Sequence, residues 1–150
     1  MKRIPAKPAA LSLLFAMVLL QAVVASADEE RLADIRFQAA SSDAVWVGQE
    51  VELQLEMWTD GFSFGKQLFI PPEVRGGYLL QADSSTVKLN EQRGGEQWQG
   101  LRYTLLFYPQ RAGRLTVPPF EVSFTASAGF GTEPTAFTFQ TPEIPIEARL

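Results

Sequence analysis

From residue 50 onward the chain alternates apolar and polar positions. In EVELQLEM, Val51, Leu53, Leu55 and Met57 fall on one face of an extended strand, with Glu50, Glu52, Gln54 and Glu56 on the other. A helix would scatter these residues around its circumference, so the pattern predicts a strand with one dry face. The same period predicts a first strand around Ile35 and Phe37, and a short piece at VWVGQ with Gly48 supplying a bend. WTDGFSFG reads as a glycine-bearing loop, followed by a short strand from Gln67 to Ile70 that Pro71 and Pro72 stop. Tyr78 to Gln81 and Thr86 to Gln92 are weaker segments, readable as one interrupted strand. Arg93-Gly94-Gly95-Glu96 is a hairpin turn, because such turns demand positive φ. Tyr103, Leu105 and Phe107 form the next apolar face, and PQRAG then reverses the chain with Gly113 in the left-handed position.

Two prolines interrupt the strand after that reversal. Before Pro118-Pro119 the apolar positions are odd (Leu115, Val117), and after it they are even (Phe120, Val122, Phe124). The last strand repeats this, with Phe137 and Phe139 before Pro142 and Ile144 and Ile146 after it. Side chains alternate faces, so a change of parity requires an extra residue and hence a bulge or kink. If Phe124 pairs with Phe137, Pro119 faces Pro142. The two breaks then coincide, and the ribbon bends as one around a core. About seven short strands with turn signals between them, and no helical period after residue 28, predict an all-β, immunoglobulin-like antiparallel β-sandwich.

The first residues follow a different rule. Lys2, Arg3 and Lys7 precede an apolar run from Ala9 to Val24, and Ala25-Ser26-Ala27 has the small-x-small pattern of a signal-peptidase site. Residues 1–27 are therefore expected to be a cleaved signal-peptide helix, and residues 28–150 the sandwich domain. An uncleaved anchor is the alternative, and the length barely allows it. Removal of residues 1–27 leaves ten basic against seventeen acidic residues, a net charge of −7. That sign argues against nucleic acid or an anionic membrane surface as partner. The chain has no cysteine, so no disulfide holds it, and none is needed: about 120 residues bury roughly two-thirds of their unfolded surface. No histidine is present either. Ser-His-Asp triads, Cys-His pairs and histidine zinc sites cannot be built from this chain. No cofactor, metal or catalytic residue is expected, and the chain reads as a non-enzyme.

Three features stand out as candidate recognition elements. GFSFG carries Phe62 and Phe64 after Trp58 and Asp60; SAGFGTEP carries Phe130 between two glycines; the third is the Arg93–Glu96 turn. In an immunoglobulin-like topology these three loops gather at one end, provided residues 78–92 act as one strand. Trp58, Phe62, Phe64 and Phe130 are the candidate partner-binding residues. Either they form a contact surface for a protein or glycan, or the phenylalanines fold back and plug the core. Trp46 and Trp98 are expected in the core or between the sheets. The Glu50/Glu52/Glu56 row is expected to be a solvated face, one that guards an edge if that strand lies outermost, with Lys88 and Arg102 offering cross-strand partners. Asp60, Glu73, Asp83, Glu91 and Glu96 are scattered without calcium-loop spacing. A hydrolase would need two of them brought together in space.

The segment Y-x-L-x-x-x-P-Q-R-A-G-R-L-T-V-P-P-F-E-V, Tyr103 to Val122, followed by TPEIPIEA at Thr141 to Ala148, resembles the BatD family of bacterial aerotolerance operons. VWVGQEVELQLEM resembles the opening of immunoglobulin-like domains, and the family resemblance covers residues 34–148. It implies an exported, envelope-associated, oxygen-tolerance protein facing the periplasm, with several such domains and a later membrane anchor. It also implies partners among von Willebrand A-domain proteins, tetratricopeptide proteins and a MoxR-type ATPase, with no catalytic residues to carry over. The sequence holds one such domain and ends at Glu147-Ala148-Arg149-Leu150, directly after a strand, with no later hydrophobic segment. An N-terminal piece of a longer protein is expected, its membrane attachment lying in a segment absent from this chain or in an uncleaved signal. A secreted glycan-binding sandwich is the alternative function.

Overall fold

The computed structural model describes residues 33–83 and 86–150, so the predicted signal peptide lies outside the described residues. Its strands are β1 (Ala33–Ala39), β2 (Val45–Trp46), β3 (Val51–Thr59), β4 (Ser63–Phe69), β5 (Gly77–Gln81), β6 (Val87–Arg93), β7 (Glu96–Pro109), β8 (Gly113–Val117), β9 (Glu121–Ser127), β10 (Thr135–Gln140) and β11 (Ile144–Arg149). β1, β3, β7 and β5 form one sheet in that order, with β6 also on β7. β10-β9-β4 and β2-β11-β8 form two three-stranded sheets. One apolar cluster joins all three, including Leu53, Leu55 and Phe107 from the first, Phe124 from the second, and Leu115 and Ile146 from the third. This is the antiparallel sandwich that the period of two predicts. The first strand is shared between layers: β1 runs antiparallel to β3, while β2 joins β11 in parallel.

The prolines do what the change of parity requires. Phe124 pairs with Phe137, and Val117 pairs with Ile144. Glu121 lies four positions after Val117 and Ile144 four after Gln140, so one register runs through the break and Pro119 opposes Pro142. Thr141 mends the ladder at this level. Its N–H donates to the Phe120 carbonyl (2.9 Å), and its buried Oγ1 accepts from the Phe120 N–H (2.9 Å). The side chain thus supplies an acceptor at the interruption, and the Phe120 donor is not stranded.

β5 and β6 both pair with β7 opposite β3, β5 at residues 105–109 and β6 at residues 96–102, so they are one interrupted strand in one position. Gly94 and Gly95 take φ of 56° and 85° in the hairpin turn between β6 and β7, as expected.

Four expectations need correction. GFSFG is not wholly a loop, because β4 begins at Ser63 and carries Phe64 inward against Phe124. Trp46 is not core: it is 58% exposed, because β2 is only two residues long and leaves its outward position uncovered. The acid row of β3 is not wholly solvated, since Glu56 is buried, and with β1 and β7 flanking β3 the row has no edge to guard. Trp98 is buried but not in the core: it is absent from the core cluster and lies on the outer face of the first sheet, covered by Arg93.

Candidate functional site

Two surfaces meet around the start of β4. The first is the outer face of the five-stranded sheet. Glu56 accepts from Trp58 Nε1 (2.9 Å) and from Arg102 Nε and Nη2 (3.1 and 2.8 Å). Arg102 is therefore the cross-strand partner predicted for this acid row, although the acid is buried. The indole of Trp58 packs over Gly100, its paired residue on β7, where an added Cβ would lie 2.9 Å from the ring. The Arg93 guanidinium carbon lies 4.9 Å from the Trp58 ring centre and 4.4 Å from that of Trp98, and Arg36 lies 5.2 Å from Trp58. These guanidiniums are tied in turn to acids: Arg36 and Arg93 to Glu91 (3.0 Å each) and Arg93 to Asp34 (3.3 Å). The hydrogen bond from Arg93 is the main cause that holds the Glu91 carboxyl below its ordinary range, with Arg36 adding to it. Cation–π contacts and ion pairs thus strap the β6–β7 hairpin onto the sheet. Trp58 is buried within the strap and presents no open stacking face.

The second surface is the loop end. The β3–β4 loop carries Phe62 and the β9–β10 loop carries Phe130, and their rings meet edge to face at 6.3 Å. Both are open to solvent, Phe62 at 61% and Phe130 at 92%. Neither loop is slack. The Phe62 N–H donates to the Ser127 carbonyl (2.6 Å), and Gln99 Nε2 on β7 donates to the Gly61 carbonyl (2.6 Å). Thr132 Oγ1 accepts from the Gly129 N–H (3.0 Å) and donates to the Gly129 carbonyl (2.7 Å), closing a tight turn with Phe130 at its tip. Phe64, by contrast, turns into the core beside Phe124.

Of the four candidate residues the structure thus brings Phe62 and Phe130 together at the surface and takes Trp58 and Phe64 inward. The strap has no counterpart among the expectations drawn from the sequence. Its available signal is the Trp58–Gly100 pairing, a glycine opposite a tryptophan, legible only once β3 and β7 are aligned. Among the described residues no three acids gather where they could hold a metal ion, and no helix is long and apolar enough to cross a membrane.

This architecture defines an immunoglobulin-like β-sandwich with two exposed phenylalanine rings in contact at one loop end. A family model described as BatD DUF11 like domain matches residues 38–147. The chain belongs to the BatD family. No curated protein and no solved structure matches it.

Proposed function

We propose that this chain is a non-catalytic, exported module of a BatD-family envelope protein that works by protein–protein contact through its aromatic end. The observation that carries this reading is the Phe62–Phe130 pair. Two large apolar rings stand in water; the Gly129–Thr132 turn holds Phe130, and bonds to Ser127 and Gln99 hold the loop of Phe62. Holding apolar surface in solvent costs about 25 cal/mol per Å² relative to burial, so such a pair suits a partner that buries it. The loops are ordered before binding, which lowers the entropy lost on association. The family resemblance supports the periplasm-facing location and points to von Willebrand A-domain and tetratricopeptide envelope proteins as the partners to test. The glycan reading, in which Trp58 and the loop aromatics stack on a sugar, is less favoured, because Trp58 is covered.

The test is capture from envelope extract on immobilised protein, followed by reconstitution with a purified candidate. Phe62→Ala/Phe130→Ala is expected to lose a partner that the unmodified protein holds. Retention of every partner by that variant would overturn the assignment of this end.

A further inference from the structure

The outer face of the five-stranded sheet falls into two halves. In one, Arg36, Arg93 and Arg102 pair with Asp34, Glu56 and Glu91. The other half is built differently. Leu53, Leu79, Leu105 and Phe107 belong to the core cluster, so their even-numbered neighbours face out. Tyr78 pairs with Tyr108 and Leu80 with Leu106 across β5 and β7, making a square of four large, mainly apolar side chains. Tyr78 and Leu80 are 63% and 56% exposed. On the other side of β7, Glu52 pairs with Leu106, and Glu50 accepts from the Tyr108 hydroxyl (2.6 Å). Two rungs thus cross the three strands, Leu80–Leu106–Glu52 and Tyr78–Tyr108–Glu50, each running from apolar to acidic. Both glutamates are exposed, and among the described residues neither has an ion pair.

We propose that this half of the face takes an amphipathic basic helix from a partner protein, lying along β7. A sheet face offers no backbone hydrogen bonds, so a segment lying on it must satisfy its own, as a helix does. From β3 to β5 is two strand spacings, about 9.6 Å, and a helix with its side chains is about 10–12 Å across, so one helix over β7 reaches both flanks. Glu50 and Glu52 stand two residues apart in extended chain, about 6.8 Å, and positions i and i+4 of a helix are separated by about 6 Å of rise. Lysines or arginines at that spacing on one flank come level with the two carboxylates. Apolar side chains on the adjoining stripe then cover Tyr78, Leu80, Leu106 and Tyr108. The glutamates repel an acidic helix or an anionic bilayer, so the charge selects a basic occupant. Glu50 lies before β3 and Phe62 after it, so this surface and the phenylalanine pair sit at opposite ends of that strand, and neither reading depends on the other.

The probe is a synthetic helical peptide of about 18 residues, with a leucine stripe, lysines at i and i+4 along one flank and alanine elsewhere. A second peptide carries glutamate in place of lysine. Each is titrated into the purified protein and followed by amide NMR shifts. The lysine peptide is expected to perturb β5, β7 around Leu106 and the start of β3, and the glutamate peptide to perturb none of them. Glu50→Lys/Glu52→Lys should weaken the lysine peptide about tenfold or more and let the glutamate peptide bind. Leu80→Ala should weaken binding as well. Phe62→Ala/Phe130→Ala should leave it unchanged, as should Glu143→Lys/Glu147→Lys, which reverses exposed acids on and beside β11. The proposal is overturned if the lysine peptide leaves those strands unperturbed, if the β11 reversal weakens it as much as Glu50→Lys/Glu52→Lys, or if the reversed face does not accept the glutamate peptide. Shifts at the same residues that grow with protein concentration alone would put a second copy there and overturn it too.

Discussion

Gly100 influences the outer face of the five-stranded sheet by having no side chain. Trp58, paired with it across β3 and β7, lies over the vacant position, and Arg93 and Arg36 settle on the ring. Gly100→Val is therefore expected to push the indole outward and destabilise the fold by about 1–3 kcal/mol. Denaturant titration together with red-shifted tryptophan emission would measure it. Glu91 gives a second expectation at this scale. Its carboxyl is held below the ordinary glutamate range in the folded chain, so on acidification the unfolded chain takes up the proton first. The stabilisation is present above the unfolded pKa and is lost as pH falls through the lower folded value. Glu91→Gln should flatten this part of the stability–pH curve, as thermal melts in a mildly acidic series would record. The three tryptophans show where reading residues one at a time stops. Trp98 is buried, but under Arg93 on an outer face and not in the core, and Trp46 and Trp58 have exchanged the places that local pattern suggests. Alternation assigns each to a face of its strand; only the neighbouring strands decide whether that face is covered.

At the scale of elements, the kinked ribbon was the most legible part of the chain. Parity switches at Pro118-Pro119 and Pro142 because alternation is a covalent property of extended backbone, and a matched pair of switches has one economical solution. The role of Thr141 was not legible, since its value depends on Phe120 standing opposite. Thr141→Val keeps the shape and removes the acceptor for the buried Phe120 N–H. It should cost about 1–3 kcal/mol, the desolvation penalty of an orphaned donor, read from urea unfolding. The start of β4 was misplaced for a related reason. Gly61 and Gly65 suggest a loop, yet β9 offers a pairing edge, with Thr125 Oγ1 accepting from the Lys66 N–H (3.0 Å) across the bulge. Tertiary pairing overrides local glycine preference there.

For the whole molecule, the decisive fact is that two distant loops, at residues 60–62 and 128–134, end at the same place. Their phenylalanines meet each other and otherwise face solvent, so replacing both with alanine should leave stability within about 0.5 kcal/mol. Unfolding midpoints that coincide while partner capture is lost would separate contact from folding. Core positions should behave oppositely. Phe124 is buried against Phe64, Phe137 and Phe139, and Phe124→Ala should cost about 3–5 kcal/mol.

The amino-acid order alone determined the strand period, the turns at Gly94-Gly95 and Gly113, the matched proline breaks and the exclusion of histidine and thiol chemistry. These depend on covalent geometry and on which residues are present, and neither needs a neighbour from elsewhere in the chain. Only the tertiary structure decided which aromatics meet water and that Glu56 is buried beneath an arginine–tryptophan strap. Burial and pairing belong to two surfaces at once, and the second surface comes from residues tens of positions away.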